Sequence, residues 1–250
     1  MEYAALTFWM AVIVFTALGV HKIWSSLVQP KVVNSILLPG TLVAQLGYVL
    51  GLLITGGTVD NTALIKDDDS GEPQTGKDPK TQVPIVGTIV IALLPMVGCA
   101  VAIGVVSGYW GTGILAEMAT SSDRKLGLPS SLPLFFSMLH GCIDLVQLLL
   151  NVLQRSNLSD WRTVLFLYLV VCLTVRMAPL TGNIRGALGA LLIFGVLAFL
   201  LGQISPATTE SLSGAWPLIT FCVAVLLLLL MVSLIIKGGV GLIRILSHQG

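Results

Sequence analysis

Apolar residues recur along this chain in runs of about 20, the length a helix needs to cross a bilayer. Seven runs can be marked: about Ala4 to Ile23, Leu37 to Val59, Val83 to Val106, Leu132 to Leu153, Trp161 to Met177, Ile184 to Ile204 and Trp216 to Ile236. Pro30-Lys31, the Asp123-Arg124-Lys125 connector and Met177-Ala178-Pro179 punctuate them. The pattern predicts an all-α polytopic membrane protein of about six to seven transmembrane helices, forming a single integral membrane domain over residues 1–250. After Gly57 the helical period stops. Thr58 to Ile65 carries β-branched residues and is followed by KDDDSGEPQTGKDPKTQ, so a short β-hairpin or loop insertion is expected after the second helix, within a polar loop of about 57–82. The last run predicts an extra C-terminal helix of about 214–237. Lys237 ends it, and Gly238-Gly239 leads into an amphipathic tail, 238–250, suited to a membrane surface.

Composition agrees with this reading. Hydrophobic residues make up 55% of the chain and charged residues 10%, with a mean hydropathy of +0.95. Soluble domains carry about 25% charged residues, so this chain lacks polar cover for a water-facing surface. A net charge of +1 without a basic cluster gives no footprint for nucleic acid. Cys99, Cys142, Cys172 and Cys222 all lie in apolar runs, form no C-x-x-C pair, and read as small packing residues. Asp67-Asp68-Asp69 lacks the spacing of a calcium loop and reads as a solvated acidic tip. The N-terminus lacks a basic leader region, so the first run is expected to be a retained helix, with His21 and Trp24 at its interfacial end. With seven spans, the mild Lys/Arg bias favours an exported N-terminus and a cytoplasmic C-terminus. No eukaryotic targeting feature is present, and a multi-pass protein of a bacterial cytoplasmic membrane is expected.

Candidate chemistry sits in the second run, LLPGTLVAQLGYVLGLLITGGTV. Its polar residues Gln45 and Tyr48 fall in the pentad Ala44-Gln45-Leu46-Gly47-Tyr48, whose first and last side chains share one helix face, one turn apart. Zinc sites of the H-E-x-x-H kind use that spacing, with the glutamate as general base. Gln45 and Tyr48 also suit plain hydrogen bonding between membrane helices. Further along, His140 and Asp144 lie one turn apart, a possible pair of metal ligands with His140 as an alternative ligand. A simpler expectation is an intramembrane polar pair of Asp144 with Arg176, which lowers the cost of both charges in lipid.

Three segments together resemble the site-2-protease-like membrane zinc metalloproteases (the M50 class), in particular their short bacterial members. The Pro39-Gly40 opening, the pentad helix and the Thr55-Gly56-Gly57 turn resemble the first motif helix of that family. Ile89 to Gly98 is similar to its third helix, with an apolar-Pro-x-x-Gly core at Pro95 and Gly98. Met177-Ala178-Pro179-Leu180-Thr181-Gly182-Asn183 resembles its later P-S-x-x-D segment. The resemblance covers about 33–201. It implies a membrane-embedded zinc site, and this chain departs from the family at each position of that chemistry. Ala44 and Tyr48 stand at the histidine positions, Gln45 at the general base and Asn183 at the acid. An alanine offers no lone pair, and neutral amides do not take a proton at neutral pH. Tyrosine, with an unperturbed pKa of about 10, is a poor zinc ligand. The implied protein is a degenerate member with no catalytic residues, no metal and no cofactor. Such a pseudoprotease would bind a membrane polypeptide or serve in a membrane complex. A small-molecule or ion transporter using Asp144 and Arg176 is the alternative, and a metallohydrolase relocated to His140 and Asp144 the third.

Overall fold

The computed structural model describes residues 2–56, 84–121, 132–178 and 206–248, with single positions at 189, 192–193 and 195–196. Among these residues all regular structure is helical. The elements are α1 (Glu2–Leu27), α2 (Pro30–Ile36), α3 (Leu38–Ile54), α4 (Pro84–Trp110), α5 (Thr112–Ser121), α6 (Leu132–Arg155), α7 (Trp161–Arg176) and α8 (Pro206–His248).

Among the described residues, four stretches are long and apolar enough to cross a membrane: Ala4–Leu27, Gly87–Trp110, Leu132–Arg155 and Trp216–Ile243. A fifth is counted if α2 and α3, which meet at an angle of 80°, form one broken span. The second apolar run is therefore not one straight helix. Pro30 occupies the first turn of α2 and Pro39 the first turn of α3, where a missing N–H costs nothing. Pro39 also cannot donate to the Ser35 carbonyl, and the chain bends at Leu37 between the two helices. Thr55 and then Gly56, at φ 67°, close α3 in a left-handed cap. The expected hairpin and most of the Ile184–Ile204 run lie outside the described residues. The fifth run is α7, of 16 residues, about 24 Å long and short of a hydrocarbon core of about 30 Å.

Two other expectations are corrected. The connector after α4 is partly helical, because Thr112–Ser121 folds as α5 and its Glu117 meets Arg155 of α6 at 3.1 Å. The helix expected to stop at Lys237 runs on through Gly238-Gly239 to His248, within 43 residues of α8. Two glycines cost a helix roughly 1 kcal/mol each, which the surrounding aliphatic sequence outweighs.

The packing inverts that of a soluble bundle. On α3 the exposed side chains are Leu38, Leu42, Leu46, Leu50, Leu53 and Ile54, while Gly40, Ala44, Gln45, Gly47, Tyr48 and Gly51 are among the buried residues. Lipid is as apolar as leucine, so association inside a membrane selects small residues that let backbones approach. A methyl group built on Gly47 would stand 2.7 Å from the Pro95 Cα and from the Leu94 carbonyl oxygen of α4. One built on Gly51 would stand 2.9 Å from the Ile91 Cα, and one on Gly40 would clash with the Cys172 carbonyl oxygen of α7. Helix α3 is thus seated backbone to backbone on both α4 and α7. Helix α7 packs in turn on α1, α3, α4 and α8, with Phe166 stacked on Phe221 of α8 at 5.9 Å.

This packing predicts that Gly47→Ala destabilises the detergent-solubilised protein by about 1–3 kcal/mol, the usual cost of overpacking. Gly104→Ala, on a face of α4 with nothing within 4 Å, should cost nothing. Thermal unfolding of the two variants side by side checks both.

Candidate functional site

The buried polar groups gather where α2 breaks from α3. Tyr168, Cys172 and Arg176 of α7 are spaced by four, so their side chains stack along one face. The Tyr168 hydroxyl donates to the Ile36 carbonyl at 2.7 Å, and the Cys172 thiol donates to the same oxygen at 3.5 Å. One turn further, the Arg176 guanidinium donates to the Asn34 side-chain oxygen. His21 of α1 approaches that oxygen from the other side, its Nε2 at 3.3 Å. An amide oxygen only accepts, so this contact needs the His21 proton on Nε2. Asn34 and Arg176 are 3% and 6% exposed. Cys99, near the middle of the Gly87–Trp110 span, lies within electrostatic reach of Arg176. The arginine is therefore deep in the bundle, at the C-terminal end of α2, where the helix dipole favours a cation.

The pentad side chains lie on the adjoining buried face of α3. Ala44 is fully buried in the main core, Gln45 is 5% exposed, and Tyr48, at 6%, packs with Leu52 and Ile91. Ala44 and Tyr48 do share a face, as their spacing requires. Asn183 lies outside the described residues. Among the described residues no three His, Cys, Asp or Glu side chains are grouped to hold a metal ion.

Of the expected pair of Asp144 with Arg176, the arginine is buried and bonded to Asn34, and Asp144 is exposed on α6. His140, also exposed, uses its Nδ1 to reach the Phe136 carbonyl of its own helix at 2.9 Å. Helix α6 packs on α5 and α8, which turns its His140 and Asp144 away from the buried site. Half-buried His21 joins this cluster through Asn34, and the Trp24 indole donates to Ser233 of α8 at 2.7 Å. Sequence reading missed Asn34 altogether. Its signal was a lone amide five residues before Pro39, next to a helix end that needs partners.

An arginine held by a shared amide predicts a measurable coupling. Asn34→Leu should lower stability by about 1.5–3 kcal/mol, the worth of a hydrogen bond to a charged group. Adding Arg176→Met should then cost less than it does in the parent. A double-mutant cycle by thermal unfolding in detergent reads that difference directly.

Comparisons with protein-family models, with characterised proteins and with solved structures find no match to this chain.

Proposed function

We propose that this chain is a catalytically inactive, site-2-protease-like integral membrane protein. It binds a membrane polypeptide or serves as a subunit of a membrane complex, in the cytoplasmic membrane of a bacterium. The observation that carries the reading is that the pentad helix packs on the apolar-Pro-x-x-Gly helix and on the end of α7 that leads into the third segment. The pentad helix lies with Gly47 and Gly51 directly on Pro95 and Ile91 of the apolar-Pro-x-x-Gly helix. The Pro39-Gly40 opening lies on Cys172 and Arg176, immediately before the Met177–Asn183 segment. A zinc protease needs its ligands to converge from these segments, and a chain that kept the frame while losing the ligands would retain this packing. With Ala44, Gln45 and Tyr48 at the inward positions, no hydroxide is generated there. What is left is a buried polar face suited to holding a polypeptide. The six-to-seven-span count and the inserted hairpin belong to this proposal too.

One observation favours a second reading, a transport or channel component. A broken helix beside a buried arginine deep in the bundle is how several transporters build their binding sites. An ion current in planar bilayers, lost on Arg176→Gln, would favour it over the first.

The first reading is tested by restoring Ala44→His, Gln45→Glu, Tyr48→His and Asn183→Asp together. The parent protein, purified in detergent, should contain no zinc. The restored protein should take up about one zinc per chain, the load of a single catalytic site with three protein ligands and a water. Metal analysis, with helix content by circular dichroism as the folding control, decides it. A folded variant that binds none means that the four positions do not meet, and ends the family reading.

A further inference from the structure

Helix α6 passes the test for a membrane span over all of Leu132–Arg155, yet only 17% of its most apolar window is buried, the smallest share among the four candidate spans. Its faces are sharply divided. Leu145, Val146, Leu149 and Val152 are buried toward α5 and α8. Leu139, Ile143 and Leu150 are exposed and apolar. On the remaining face stand Ser137, His140, Asp144, Gln147, Asn151 and Gln154, every one of them exposed. Their spacings of three and four keep them in one stripe. It runs about 25 Å at 1.5 Å per residue, most of a hydrocarbon core about 30 Å thick.

A polar stripe of this length does not face lipid tails. Polar and ionisable side chains within spans point to protein or to water. We propose that the α6 stripe is the surface on which a second copy of this chain docks, α6 against α6. The chemistry of the stripe suits a copy of itself. Two copies inserted with the same topology bring their α6 helices together in parallel, so equal positions meet at equal depth around a two-fold axis. Gln147, Asn151 and Gln154 carry carboxamides, each with both donors and acceptors, so each can bond its own counterpart. Such amides hold membrane helices together across their interfaces. His140 and Asp144 lie one turn apart, so the imidazole of each copy meets the carboxylate of the other. His140 donates from Nδ1 to its own helix, so it is as the imidazolium, with a second proton on Nε2, that it donates to the partner's carboxylate. The charges complement one another across the axis. Leu139, Ile143 and Leu150 flank the stripe on the side left to lipid.

This inference does not rest on the proposed function, because α6 lies outside the three resembling segments and its test reads no metal. The full chain, in native membranes, carries Gln147→Cys or Asn151→Cys, with Leu150→Cys as the lipid-facing control and the parent as background for the native thiols. Mild oxidation should give a disulfide-linked homodimer at 147 and 151, at least several-fold above both the parent and the 150 control. In the second arm, Gln147, Asn151 and Gln154 are all changed to Leu. That protein should keep its helix content and run as a monomer by light scattering in mild detergent, where the parent runs as a dimer. Equal cross-linking at 147 and 150 overturns the proposal, as does none at 147 and 151. A parent that is monomeric overturns it too. So does cross-linking of 147 to a polypeptide of another mass in place of the homodimer. Rapid labelling of Gln147→Cys by a membrane-impermeant maleimide would assign the stripe to a water path or to the membrane surface instead.

Discussion

Backbone polar groups inside a hydrocarbon core have no water to turn to, and that constraint organises this fold. A continuous helix satisfies itself. At the α2–α3 break the chain departs from a continuous helix, and its exposed groups need partners from elsewhere. Helix α7 supplies them. Tyr168 and Cys172 reach the Ile36 carbonyl, Arg176 holds Asn34, and Gly40 lets the α7 backbone come close enough for all of this. The spacing by four makes it possible, since three functional side chains fall on one face of a helix too short to be an independent span. Short, central α7 is the brace of the bend.

The same constraint explains where size matters. Where hydrophobic burial cannot drive association, close contact does. Gly47 and Gly51 are the positions at which any side chain would meet backbone, and Pro95 is part of the surface they meet. A proline inside α4 forfeits one hydrogen bond of that helix, and it is tolerated here in a wall packed by glycines. Ala44 belongs to this wall. It is fully buried in the core, where it serves packing.

Much of the helix inventory could be read from the sequence, and the reasons for the failures are specific. The four clear spans have starts and ends close to their apolar runs, because membrane insertion is decided by summed hydropathy and that is a local property. The bend at Leu37 is not. Ile36, Leu37 and Leu38 are as apolar as their neighbours, and the break was visible only as Pro39, which reads equally well as a helix start. Gly238-Gly239 failed in the opposite sense. Paired glycines signal a stop in water, where unwound backbone is hydrated, but in an apolar stretch the helical hydrogen bonds have no competitor. Arg176 was seen as an ionisable residue needing a partner, and the nearest acid in the pattern was chosen. Its partners include a neutral amide and a helix end, which carry no charge and leave no mark in a charge pattern. The pentad positions were legible as a shared face because a spacing of four fixes that whatever the environment.

Helix α6 shows how far averages can mislead in a membrane. It is the least apolar of the four candidate spans, though still apolar enough to cross. An average does not record direction, and six polar residues on one face are invisible to it. Insertion and assembly are separate events for membrane helices, the first governed by total apolarity and the second by what each face presents. A helix apolar enough to insert, yet polar along one edge, is left after insertion with side chains that hydrocarbon does not satisfy. The free energy of that mismatch is released when the edge meets protein or water. Polar edges of this kind therefore favour assembly in the bilayer in the way that apolar patches favour it in water, and α6 carries the longest such edge among the described helices.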